Sequence, residues 1–312
     1  MTATAIRANC NGFKLWLKIS FAVLCCASPS AMSQQLYHDL TILTSAEHAG
    51  RQAGSDTPNL SAQFIFERFS QLGLQANYQR FKFKNGLTSD AFGHNVVATL
   101  PCNANPCGKA IVVSAHYDHL GERGSKIYAG ANDNASGTAA LLVLADKLRG
   151  VNRHSPIVLL ATDAEEKGLY GAKYYADQIT NAEQYALNVN LDMLALAQKN
   201  TLYVMYSRQA QLFTDLLSKK KPETFKVKLA NSPQRMRRLL GNDRVDWLRA
   251  SDHYAFHKVG IPYMYFGAGS DKNHHSVKDT LSEIDFDKYQ QVVKFINDFM
   301  VALLNCPSDC TS

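Results

Sequence analysis

Five short apolar runs recur along the middle of the chain: Ala110 to Ala115, Ile157 to Thr162, Ala186 to Leu191, Leu202 to Tyr206 and Ile261 to Phe266. Each ends in polar residues and is separated from the next by a helical pattern. Near-continuous apolar strands need both faces covered, so the alternation predicts a buried, largely parallel sheet between helices. Helices are expected over Ser61 to Leu72, Ala135 to Arg149, Ala172 to Gln178, Gln209 to Ser218 and Asp285 to Leu304. In the last, Phe286, Tyr289, Val293, Ile296, Met300 and Leu303 fall at helical spacing and should cover one sheet face. Upstream, Tyr78 to Phe83 and His94 to Leu100 flank the Asn85-Gly86 turn region and read as an antiparallel extension. The expected fold is α/β, with a mixed, largely parallel central sheet flanked by helices in one domain.

With 46% hydrophobic and 19% charged residues among 312, the chain is neither disordered nor collagen-like. Its formal charge of +6 is unevenly spread. Residues 1–33 carry +3, the window 219–249 carries +7, and the remainder sums to −4. The basic window reads as a solvated insertion or as a wall of a substrate cleft. Phe225 and Trp247 are its only aromatics, so stacking platforms for nucleic acid are sparse, and no nucleic-acid partner is expected.

Residues 1–33 have a secretory layout: a basic start, an apolar run from Ile19 to Ala27, and small residues around Ala31 to Ser33. The run is shorter than the roughly 20 residues a spanning helix needs. The expectation is an exported, secreted or periplasmic chain with no membrane association after leader removal; the alternative is an amphipathic N-terminal helix. Outside this stretch stand Cys102, Cys107, Cys306 and Cys310. Their proximity favours two local disulfides, Cys102 with Cys107 and Cys306 with Cys310, over a zinc knuckle, since neither pair has C-x-x-C spacing.

Chemistry-bearing residues cluster just beyond the apolar runs. His116 and Asp118 follow the first, Glu165 and Glu166 the second, Asp192 the third, and His274 and His275 the last. Asp133 lies in Gly130-Ala-Asn-Asp-Asn-Ala-Ser-Gly137, ahead of the helix after the first run. Ligands in open α/β sheets bind beyond the carboxyl ends of strands, so these groups should converge at one rim. Imidazoles with carboxylates suit zinc, and a carboxylate between two metals suits two-metal hydrolysis. There is no H-E-x-x-H, no G-x-S-x-G, no P-loop and no G-x-G-x-x-G.

The stretches His116-Tyr-Asp-His-Leu-Gly121, Gly130 to Gly137, Ala164-Glu-Glu-Lys-Gly-Leu-Tyr-Gly171, Asn190-Leu-Asp-Met193, Ser251-Asp-His253 and His275-Ser-Val-Lys-Asp-Thr280 occur in an order that resembles a known family. It is the zinc exopeptidases with a co-catalytic dinuclear site, which include secreted bacterial aminopeptidases, glutamate carboxypeptidases and glutaminyl cyclases. The resemblance runs from about Leu40 to Leu304 and implies a three-layer sandwich and two Zn2+ ions. It implies His116 and Asp192 on one zinc, Glu166 and His275 on the other, and Asp133 bridging. Glu165 would be the general base, Asp118 would orient His116, and Asp279 would support the His275 loop. Some relatives carry a tyrosine where this chain has His274, leaving an oxyanion donor and a solvated neighbour both open. Arg51, in Gly50-Arg-Gln-Ala-Gly-Ser55, also matches the family and reads as part of a structural turn. The implied activity is aminopeptidase action by a monomer on peptides with a free N-terminus, in a domain spanning 34–312; carboxypeptidase and glutaminyl cyclase are the alternatives.

Overall fold

The computed structural model describes residues 30–305, apart from 57, 87–88, 196–199, 220 and 242–243. The expected Cys306–Cys310 pair and all but the end of the expected leader lie outside the described residues. Helices α1 (Ala31–Leu43) and α2 (Leu60–Gln71) precede strands β1 (Ala76–Asn85), β2 (Ser89–Leu100) and β3 (Ala110–His116). A small hairpin of β4 (Gly121–Arg123) and β5 (Lys126–Tyr128) leads to α3 (Gly137–Arg149), β6 (Ile157–Thr162), α4 (Tyr170–Asp177), β7 (Tyr185–Leu191) and β8 (Thr201–Tyr206). Then come α5 (Thr214–Ser218), β9 (Lys226–Ala230), α6 (Pro233–Leu240), α7 (His253–Lys258), β10 (Tyr263–Gly267) and α8 (Phe286–Leu304).

Local chemistry sets several boundaries. The Ser30 side chain caps α1 by accepting the Ser33 N–H, Asn59 does the same for α2, and Asp285 for α8. Ser232 followed by Pro233 opens α6, and Gly241 in the left-handed region closes it. Ala31 to Ser33, drawn from the sequence as the end of the leader, form the first turn of α1, where buried Ser33 donates to Gln290 of α8.

Eight strands form one sheet in the order β1-β2-β6-β3-β7-β10-β8-β9. β6, β3, β7 and β10 run parallel as adjacent neighbours, with β2 antiparallel to β6 and β1 antiparallel to β2. β8 turns antiparallel to β10, and β9, from the basic window, pairs parallel with β8 as the edge. The pleat divides side chains between two layers. Ile111, Val113 and Ala115 of β3 pack with buried residues of α1, α2, α3 and α8, while Val112 packs with Ala172 and Ala176 of α4 and Phe256 of α7. The result is the expected three-layer α/β arrangement.

Two expected helices differ in detail. The stretch from Gln209 divides into a tight turn, Arg208–Phe213, and the short α5, where Thr214 Oγ1 donates to the Gln211 carbonyl and competes with the helical ladder. The helix expected from Ala135 begins at Gly137, because Ala131–Ser136 form a wider turn held by side chains from elsewhere. Among the described residues, no helix is long and apolar enough to cross a membrane. Cys102 and Cys107 are joined by a disulfide, as expected.

Candidate metal centre

The four parallel neighbours β6, β3, β7 and β10 end at the same rim, as strands running the same way must. His116 is the last residue of β3, Asp192 follows β7 directly, Glu165 and Glu166 follow β6, and His274 and His275 lie on the loop after β10. Asp133 enters from the turn before α3.

Asp133 has two faces. Its Oδ1 lies 3.4 Å from His116 Nε2, which in turn lies 3.4 Å from Asp192 Oδ1. Its Oδ2 lies 3.2 Å from His275 Nε2, which lies 3.1 Å from Glu166 Oε2. Two donors sharing a tetrahedral zinc with bonds of about 2.0–2.1 Å sit roughly 3.3 Å apart, so both sets have the spacing of ligands around a cation. Asp192 Oδ1 is buried without a hydrogen-bond partner, which fits a cation better than an empty core position. Among the described residues, three groups have metal-holding geometry: His116 with Asp133 and Asp192, His119 with Asp133 and Glu166, and Asp133 with His274 and His275. Two adjacent His/carboxylate clusters sharing Asp133 match the donor set of a dinuclear zinc site.

The imidazoles favour ionisation of the carboxylates they face. Burial opposes ionisation of Asp133, but the imidazoles of His274, His275, His119 and His116 together hold it well below the usual carboxylate range. Burial and Asp133 likewise oppose ionisation of Glu166, yet His119 and His275 bring it to about 2. Hydrogen bonds to Asp133 and Glu166 lift His275 to about 10. Glu165 goes the other way: burial, partly offset by His116 and reinforced by Glu166, Asp252 and Asp192, pushes it well above the ordinary value. Two neighbouring carboxyls are thus driven apart, the pattern of a ligand beside an acid–base group.

The sequence description of Peptidase family M28 matches residues 95–300. The chain belongs to Peptidase family M28. It is 27% identical over 191 residues to "Aminopeptidase YwaD" of Bacillus subtilis (strain 168), a match covering 58% of this chain and 38% of that protein. The chain spans less than half the length of the curated relatives it matches first. The fold is shared with "Aminopeptidase from Aneurinibacillus sp. strain AM-1", at 17% identity and TM-score 0.69 over 86% of this chain and 93% of that one. It is shared also with a Porphyromonas gingivalis glutaminyl cyclase, at 15% identity and TM-score 0.65 over 87% and 99%. Likeness at this identity carries the fold alone.

Supporting residues in this M28 site depart in places from expectation. The Asp118 carboxylate accepts the backbone N–H groups of Glu165 at 3.0 Å and Glu166 at 3.2 Å. His116 Nδ1 lies 3.2 Å from the Asp118 carbonyl and 3.7 Å from its carboxylate, so Asp118 holds both the glutamate turn and the imidazole. Asp279 accepts N–H groups of Asn132 and Asp133, and so ties the loop after His275 to the turn of Asp133. His274 Nε2 sits 3.2 Å from Asp133 Oδ2, and its ring stacks on His275. Arg51 does sit in a turn, but its buried guanidinium also donates to the carbonyls of Tyr117, Leu43, Ala129, Gly130 and Asp133.

Ser251-Asp252-His253, one of the stretches that resemble the family, splits three ways. Ser251 accepts from Asn190, Asp252 accepts from the Thr162 hydroxyl, and His253 Nε2 donates to the Trp247 carbonyl at 3.1 Å. His119 carried no sequence role; its Nδ1 lies 2.8 Å from Glu166 Oε1. It stands in the same stretch as His116, and that shared stretch was the only signal.

His116, Asp133, Glu165, Glu166, Asp192, His274 and His275 line a cavity of about 230 Å³, with Met193, Val245, Trp247, Ala250, Tyr265 and Ser270 completing it. The basic window therefore has two parts. Lys219, Lys221, Lys226, Lys228, Arg235 and Arg238 are exposed, whereas Val245 and Trp247 border the cavity, with Trp247 3% exposed.

Proposed function

We propose that the chain is a two-zinc aminopeptidase that hydrolyses the N-terminal bond of peptides, with His116 and Asp192 on one ion, Glu166 and His275 on the other, and Asp133 between. The observation carrying it is the opposed pair of Asp133 oxygens, each meeting its own His/carboxylate set above a cavity that Glu165 lines. Bound zinc supplies the Lewis acidity that lowers the pKa of a water and polarises a carbonyl. Glu165 takes the proton of the attacking water and returns it to the departing amine. Asp118 sets the directions of both glutamates through their backbone N–H groups, and His274 donates toward the developing oxyanion. The apolar wall of Val245, Trp247, Ala250 and Met193 favours a substrate with an apolar N-terminal residue.

The test is a substrate panel on the zinc-loaded protein: aminoacyl-anilides, N-blocked dipeptides and N-terminal glutaminyl peptides. Cleavage of the free-amine anilides, lost with a chelator and restored by zinc, is expected. Turnover of N-blocked dipeptides alone would make it a carboxypeptidase or dipeptidase, and cyclisation of glutaminyl peptides a cyclase. Export through the N-terminal segment and action as a monomer complete the reading; the Cys102–Cys107 disulfide supports an oxidising compartment.

A further inference from the structure

We propose that His119 is a positioning residue for the Glu166 half of the site: its Nδ1–H donates to Glu166 Oε1 and leaves Oε2 as the oxygen offered to a cation. The inference rests on the two-zinc reading above and adds to it a residue outside the ligand set.

Spacing separates His119 from the ligands. The four donor contacts of the two half-sites span 3.1 to 3.4 Å, the separation of atoms that share a cation. His119 Nδ1 instead approaches Glu166 Oε1 to 2.8 Å, a direct hydrogen-bond distance, and stands 3.7 Å from Asp133 Oδ2.

The other ring nitrogen fixes the tautomer. His119 Nε2 is buried and has no hydrogen-bond partner. A buried N–H without an acceptor is a costlier state than a bare acceptor nitrogen, so the ring N–H belongs on Nδ1, the nitrogen that meets Glu166 Oε1 at 2.8 Å. A protonated Nδ1 has no lone pair for a metal. The arrangement is a zinc–carboxylate–imidazole relay, in which the histidine orients a carboxylate ligand rather than the reverse.

The fold holds this imidazole firmly. His119 is fully buried, and its backbone N–H donates to the Arg51 carbonyl at 3.2 Å. Its ring occupies the space beside Gly130, where a Cβ would lie 2.4 Å from His119 Cδ2 and 2.5 Å from Cγ. Gly130 has φ +54°, so both its backbone and its missing side chain serve the same packing. Glu166 needs such a partner because it sits on a loop beyond the end of β6, opposite the half-exposed His275.

The experiment is zinc binding by chelator competition, read separately for the tighter and weaker ions, in wild type, His119→Leu, His119→Gln and His119→Asn. Asparagine carries a donor where Nδ1 stood; glutamine carries it near Nε2. The expected result is that Leu and Gln variants weaken one zinc by about 10- to 100-fold and leave the other unchanged, while the Asn variant recovers most of the loss. At saturating cobalt(II) the visible band of every variant should match wild type, because the ligand set is intact. A cobalt spectrum changed in the Gln variant, no rescue by Asn, or unaltered zinc affinity in the Leu and Gln variants would overturn the proposal. Should the Leu variant fail to fold, the Asn and Gln pair decides. A wild type that binds fewer than two zincs overturns the two-zinc reading itself, and this proposal with it.

Discussion

The two halves of the metal centre are built differently. His116 and Asp192 stand at the ends of adjacent strands β3 and β7, and both are buried. Glu166 and His275 stand on loops, and the His275 side chain is 45% exposed. The first half is positioned by the sheet itself, in which each strand is fixed by its neighbours. The second depends on side chains: Asp118 at the Glu166 N–H, His119 at its carboxylate, and Asp279 between the His275 loop and the Asp133 turn. Rigid elements hold ligands more closely than loops do, so the halves should differ in affinity and in sensitivity to change.

Asp133→Ala should abolish the difference, because that carboxylate faces both halves. Zinc affinity is expected to fall by at least about 100-fold at both, beyond the usual outer-shell effect, with activity falling to background. His116→Ala and His275→Ala should restore the contrast, each losing one ion while the other remains, as zinc counting by mass spectrometry under native conditions would show. Graded chelation of the wild type should release the Glu166–His275 ion first; simultaneous release would make the halves equivalent.

Two further changes probe the wall rather than the metals. His253 is buried, which lowers its pKa from 6.5 to about 3 despite its bond to the Trp247 carbonyl. Between those values the unfolded chain takes up a proton that the folded chain refuses. Its stabilising contribution is therefore complete above pH 6.5 and lost toward pH 3, at up to about 1.4 kcal/mol per pH unit. Denaturant titrations of wild type and His253→Asn at pH 6.5 and 4.5 should give the shallower acid loss in the variant. Trp247→Ala should change least in chemistry: KM for substrates with large apolar N-terminal residues rises by about tenfold, with kcat nearly constant. Equal loss for small and large N-terminal residues would remove Trp247 from substrate recognition.

Much of this was legible because the strands announce themselves. β3, β6 and β7 are mainly apolar, and a parallel sheet obliges the residues at and just beyond their carboxyl ends to meet at one rim, so His116, Glu165, Glu166 and Asp192 could be brought together from sequence alone. The antiparallel turn of β8 was not legible, since an apolar run has no direction. Nor was the division of the basic window: charge is visible in sequence, but the burial of Trp247 depends on Tyr265 and His253 folding against it. His119 and the five-carbonyl grip of Arg51 were missed for a related reason. A histidine or arginine looks the same in sequence whether it faces water or completes a buried hydrogen-bond network, and most of these contacts join segments distant along the chain.

In the function proposed above, Glu165 carries the proton transfer beside two zinc ions. The decisive quantity is kcat of Glu165→Gln on an aminoacyl-anilide at full zinc occupancy. A fall of about 10²- to 10⁴-fold with both zincs retained is expected; a rate equal to wild type would contradict the assignment.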